Sequence, residues 1–126
     1  MDVSQFFSPQ AGRLIKAPRN SAANFTIGDV VRHRMFDLRG VVFDIDPVFA
    51  NSEEWYAAIP EAIRPAREQP FYHLLAENDE GSYVAYVSQQ NLVEDSGAGP
   101  VDHPTVDQIF EPWTEGRYRL RSRLTH

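Results

Sequence analysis

The chain contains no cysteine. Disulfides, thiolate nucleophiles and cysteine-type zinc sites are thereby excluded, and the composition fits a reducing, cytoplasmic setting. No apolar run approaches the length of a membrane span. The opening MDVSQFFSPQ has an acid at position 2 and lacks the basic-then-apolar order of a secretory signal. Catalytic signatures are as scarce. No serine stands in a G-x-S-x-G elbow, the glycines form no phosphate loop, and no HxH or HExxH spacing supports a zinc site. There is no internal repeat. These absences point away from an enzyme, and toward a binding protein with no cofactor and no metal.

At 126 residues the chain is one domain with tails. The net charge is −6, and it is unevenly spread. Residues 1–24 carry +2 and residues 117–126 carry +4, whereas 25–116 set five arginines against seventeen acids, a charge of −12. An acidic body between basic ends is a poor general binder of phosphate, since non-specific DNA affinity comes mostly from neutralised phosphates.

The stretch FTIGDVVRHRMFDLRGVVFDIDP, residues 25–47, organises the rest. It predicts two alternating strands, with Gly28-Asp29 turning into the first. Residues 37–40 supply the reversal, and Gly40 is expected to take a positive φ or a bulge. This phasing places Val31, Met35, Val41, Phe43 and Ile45 on one face, and Arg32, Arg34, Asp44 and Asp46 on the other. A two-stranded ribbon does not stand alone, so later strands must cover its apolar side.

The arm 1–24, with Pro9, Gly12 and Pro18, is expected to be flexible, Phe6-Phe7 being its one docking feature. After Pro47 a long connection runs to Pro70. In it Ser52 caps a short helix with Glu53 and Glu54 in the first turn and Trp55, Tyr56 and Ile59 on its apolar face. Pro60 and Pro65 then break the remainder of the connection into short pieces. Residues 71–77 and 82–88 predict a hairpin closed at Gly81. Residues 89–91 predict a 3₁₀ turn before a last strand at 92–94. GAGP at 97–100 is expected to end a barrel domain spanning 25–95. In the extension 96–126, residues 105–110 predict one helical turn, Trp113 folds back, and the last ten residues are loose. The fold class is mainly β, a small five-stranded SH3-like antiparallel barrel, partly open, with a long helix-containing excursion between strands 2 and 3.

The motifs G-D-x-V-x-H-x-x-F, G-V-V-x-D-I-D-P and P-F-Y-H, with YVAYVSQQNL after them, resemble the HspQ family of bacterial heat-shock proteins, whose domain is also described as YccV-like and hemimethylated-DNA-binding. The resemblance covers about residues 25–111. It rests on Gly28, Asp29, His33, Gly40, Asp44, Asp46, Pro47, Tyr72 and His73. It implies an SH3-like barrel, a cytoplasmic location and homo-oligomerisation. It also implies two roles: binding hemimethylated DNA at the replication origin, and acting with the ATP-dependent protease Lon as a specificity-enhancing factor and as a substrate. The arm before Phe25 and the arginine-rich end lie outside it.

Arg32, Arg34 and Arg39 form the best candidate patch for phosphate or carboxylate, because guanidinium makes bidentate contacts. The plainer alternative pairs Arg32 and Arg34 with Asp44 and Asp46 across the hairpin. His33 and His73 share faces with apolar residues and read better as buried structural histidines. Asp44 and Asp46 lack the further oxygen ligands of a cation loop and read as a solvated strand face. Trp55 and Tyr56 are candidate contacts for a partner, and Tyr72, Tyr83 and Tyr86 for stacking, although aromatics of a small barrel are more often core. The favoured reading is a protein-binding regulator of proteolysis whose partners are Lon or its substrates. Hemimethylated DNA is the alternative.

Overall fold

A computed structural model describes residues 22–124. The expected arm, with Phe6-Phe7, lies outside them up to residue 21. Five strands form one antiparallel sheet: β1 (Val30–His33), β2 (Arg39–Asp46), β3 (Phe71–Asn78), β4 (Gly81–Ser88) and β5 (Leu92–Glu94). Their order is β4-β3-β2-β1-β5. The sheet is open: β4 and β5 are its two edges, and no ladder joins them into a closed barrel. β5 is only three residues long and is spent on β1.

The register corrects the expected phasing. Val30 pairs with Val41 and Val31 with Gly40, and directly paired residues share a face. Val31 and Val41 therefore lie on opposite faces, and all four of Val30, Val31, Val41 and Val42 are buried. Both faces of the hairpin are core. A bulge between Val42 and Asp44 then shifts the alternation, so that Phe43 and Asp44 together face His73. Phe43 joins the packing around Val30, Val41 and Leu75, while Ile45 joins that around Val31, Val42 and Leu74. β1 stops at His33, two residues short of Met35, which is 56% exposed instead of core.

Gly40 is not in the left-handed region. A Cβ there would lie 2.6 Å from the Leu75 carbonyl oxygen, so glycine lets β2 and β3 approach closely. Gly28 does take a positive φ, 98°.

The connection between β2 and β3 is long, but its helices are short: α1 (Glu53–Ala57) and a 3₁₀ turn at Glu61–Ile63. Ser52 caps α1, its hydroxyl accepting from the Trp55 N–H at 3.0 Å. A two-residue turn, Asp79-Glu80, joins β3 to β4, and Asn78 Oδ1 accepts from the N–H groups of Glu80 and Gly81. The 3₁₀ turn at Gln89–Asn91 leads into β5.

Between residues 101 and 124 the chain packs back onto the sheet instead of ending loose. Val101, Val106 from α2 (Val106–Ile109), Phe110 and Tyr118 are buried against Val30, Val41 and Leu75, with Trp113 and Leu120 packed beside them. The Tyr118 N–H donates to the Gly28 carbonyl at 3.0 Å, and Arg117 reaches the Ile27 carbonyl at 2.9 Å. This segment covers the face that a closing strand would otherwise screen.

Candidate partner-binding site

The β1–β2 connection, residues 34–38, stands out from the sheet because of one histidine. His33 is buried, and its Nδ1 accepts from the N–H groups of Met35 at 3.0 Å and Phe36 at 3.1 Å. A ring nitrogen that takes two main-chain donors is unprotonated, so the proton sits on Nε2. The Phe36 ring stacks on His33 at 4.5 Å. Burial pushes the His33 pKa down, which reinforces the neutral form. Met35 and Phe36, 56% and 51% exposed, are thus held at the surface beside Arg32 and Arg34.

The three arginines do not act alike. Arg39 starts β2 instead of lying in the turn, and its guanidinium is used up. It reaches Asp95 Oδ2 at 2.9 Å, Glu77 at 3.3 Å, and the carbonyls of Gly99 at 2.7 Å and Pro100 at 2.9 Å. Arg32 is half-exposed and 3.8 Å from Asp95. The Arg34 side chain is exposed and bonds to no described residue. Asp44 and Asp46 take no part in cross-hairpin pairing, because the register sets Arg32 opposite Arg39. Asp44 caps its own Ile45 N–H at 2.9 Å. Asp46 Oδ2 accepts from the Tyr86 hydroxyl at 2.8 Å and lies 3.1 Å from His73 Nε2, a knot across β2, β3 and β4. Burial and the Asp46 carboxylate push the Tyr86 phenol well above its usual range, so it stays a donor. Tyr72 is fully buried, its hydroxyl donating to Gln89 Oε1 and accepting from the N–H groups of Asn24 and Phe25. Pro47 follows β2 and opens the excursion. Among the described residues no group of three acids and histidines is placed to hold a metal.

Trp55 and Tyr56 are half-buried, not exposed, and they turn onto Phe49 and Tyr86. Arg67 covers the Tyr56 ring at 3.9 Å while binding Glu53 at 2.7 and 2.9 Å, and the Tyr56 hydroxyl donates to the Pro65 carbonyl at 2.6 Å. Tyr56 is therefore internal to the excursion. Trp55 is not: it lines one wall of an apolar groove of about 230 Å³ with Ile59 and Ile63. Phe36 and Leu38 form the other wall, and Ala85–Ser88 of β4 the floor. Sequence reasoning misses Phe36, Leu38 and Ile63 as site residues. Ile59 is visible in it only as part of a helix face, and nothing local signals that a loop 20 residues upstream comes to lie opposite.

This frame presents a surface for binding: an open sheet edge, an apolar groove beside it, and two accessible arginines. The family model of hemimethylated DNA-binding proteins of the YccV-like type matches residues 23–117. The chain belongs to this YccV-like family, which includes the HspQ proteins. No described helix is long and apolar enough to cross a membrane.

Proposed function

We propose that the protein is a non-enzymatic cytoplasmic heat-shock factor of the HspQ kind, which takes hold of other polypeptides as a homo-oligomer and modulates their ATP-dependent, Lon-type proteolysis. The observation that carries this reading is the apolar groove between Phe36 and Ile63, on a body whose charge, −8 over residues 25–124 with the docked arginines included, repels polyanions. Apolar side chains entering such a groove contribute about 25 cal/mol per Å² buried, independent of salt to first order. The test is the ATP-dependent degradation of an unfolded reporter by a Lon-type protease with and without the protein. A changed rate with the wild type and an unchanged one with Ile63→Asp supports the proposal. Equal rates in all three arms refute it.

A second reading, binding of hemimethylated duplex at the replication origin, is favoured by family membership and by Arg32 and Arg34. With Arg39 committed to Asp95 and Glu77, two arginines remain for phosphate or base edges. Titration of hemimethylated, fully methylated and unmethylated duplexes of one sequence decides it. A preference for the hemimethylated form that survives moderate salt supports it. Equal weak binding lost with salt does not.

A further inference from the structure

The groove has a second property that apolar packing does not require. β4 is an edge strand of eight residues. The Gln89 N–H donates to the Pro70 carbonyl at 2.9 Å, which fixes the alternation of the β3–β4 ladder. By that alternation Val84 and Tyr86 direct their N–H and C=O groups away from β3. No described residue hydrogen-bonds to them. Val84 is also 60% exposed, and the groove runs along the same half of the strand. Long, accessible strand edges are usually blunted by charge, proline or a covering loop. Over residues 83–88 the strand reads YVAYVS, without charge or proline, and the loop at Asp102-His103 bonds only its first residues, Ser82 and Tyr83, short of Val84–Tyr86.

The two walls of the groove differ in charge: Arg32 and Arg34 lie beside Phe36, whereas the Trp55 wall is flanked by acids. Glu54 and Glu61 flank Trp55, Ile59 and Ile63 in sequence, are exposed, and pair with no described side chain. The cations of the same excursion are spent: Arg64 on the carbonyls of Ile59 and Ala57, and Arg67 on Glu53. A chain that extends from the groove past this wall runs toward Glu54 and Glu61 and toward no free guanidinium of the excursion.

We infer that the open edge of β4 at Val84–Tyr86 adds a strand from an extended partner polypeptide that carries large apolar side chains at alternate positions, set into the groove, with lysine or arginine between them. This deepens the polypeptide-binding reading and rests on it. Main-chain pairing supplies the affinity, the groove selects apolar side chains, and the acidic wall selects cationic neighbours. The partner is a class of exposed chain, such as an unfolded segment, and not one sequence.

The test is fluorescence anisotropy of the full chain with three labelled ten-residue peptides: alternating leucine and lysine, the same with glutamate for lysine, and the leucine–lysine peptide N-methylated at alternate amides. The leucine–lysine peptide is expected to bind, and the other two at least about tenfold more weakly, the equivalent of one or two lost hydrogen bonds or charge contacts. Val84→Pro removes one outward N–H at a position where an edge strand tolerates proline. It is expected to weaken binding about tenfold with an unchanged circular dichroism spectrum and Tm, and Ile63→Asp to do the same through the groove. Equal binding of the N-methylated and plain peptides, with Val84→Pro at wild-type affinity, overturns strand addition while leaving a polypeptide partner in place. Loss of self-association in Val84→Pro with peptide binding intact assigns the edge to a second copy and likewise overturns it. No binding by any peptide, with no effect on reporter degradation, removes both readings.

Discussion

His33 and Phe36 are joined twice: the Phe36 N–H donates to His33 Nδ1 at 3.1 Å, and the two rings stack at 4.5 Å. The histidine is therefore the post on which the β1–β2 connection hangs, and with it one wall of the groove. Because its neutral form is the one that accepts, protonation sets a proton against two N–H donors.

Stability should accordingly depend on pH in one direction. The folded pKa of His33 lies below its ordinary value near 6.5. The unfolded chain then binds more protons in the window between the two values. The His33 contribution to stability is fully present above about pH 6.5 and is lost as pH falls through that value toward the lower folded pKa. Urea unfolding across pH 5–8 is expected to show this loss in the wild type and to lack it in His33→Asn, whose Oδ1 accepts the same donors. His33→Leu is expected to lose about 1–3 kcal/mol at pH 7.5, since two N–H groups lose their acceptor.

Gly28 tests the link between the two ends of the domain. It holds φ at 98°, and a Cβ there would lie 2.1 Å from the Tyr118 carbonyl oxygen. Gly28→Ala thus meets both backbone strain and a backbone clash. A loss of about 3 kcal/mol or more is expected in denaturant titration. A neutral result would mean that the segment around Tyr118 does not sit against residue 28.

Removing that segment should be as costly. The Tyr118 ring is buried against Phe110 and Trp113, and its hydroxyl accepts from the Val101 N–H at 3.0 Å. Tyr118→Ala is expected to cost about 3–5 kcal/mol. A chain ended after residue 100 is expected to expose the Val30–Val41–Leu75 face and to bind a hydrophobic dye. Retention of the wild-type Tm by the shortened chain would show that this face needs no cover.

These two experiments also mark where sequence reading stops. Signals that act within a few residues are legible: the Ser52 cap, the Asn78–Gly81 reversal, the 3₁₀ turn at Gln89–Asn91 and the helical turn beginning near Val106. Register is not. Val30-Val31 and Val41-Val42 are two adjacent apolar pairs, and alternation alone assigns only one of each pair to the core. The sheet instead buries both, because residues 101–120 supply a second apolar layer from far along the chain. The bulge at Val42/Asp44 compounds this by placing Phe43 and Ile45 on opposite faces. An arginine-rich ending reads as a loose tail because its composition is polar, although Tyr118 and Leu120 alternate with Arg117, Arg119 and Arg121. The candidate site suffers most. Proximity in sequence groups Arg39 with Arg32 and Arg34, while its partners Glu77, Asp95 and Gly99 are 38 to 60 residues away.

The three arginines are therefore expected to separate in experiment. Arg39 is largely buried, binds two carboxylates and three main-chain carbonyls, those of Asp95, Gly99 and Pro100, and ties β2 to β3 and to the chain after β5. Arg39→Ala leaves Glu77 and Asp95 facing each other across the vacated space, at an expected cost of about 2–3 kcal/mol in stability, below the 3–5 of a fully buried pair because both carboxylates retain some solvent. Arg39→Lys recovers little of this, since one ammonium cannot span the fork of acceptors. Arg34→Ala touches no such network, and Arg32→Ala removes only a long, half-exposed contact with Asp95; both should leave the Tm within about a degree or two, as exposed charges do. If the duplex-binding reading holds, each of those two substitutions lowers affinity for hemimethylated duplex and reduces the dependence of log K on log salt by up to about one, the effect of one phosphate contact. If it does not, both variants bind duplex as the wild type does, and their phenotype is confined to the polypeptide groove that Phe36 walls.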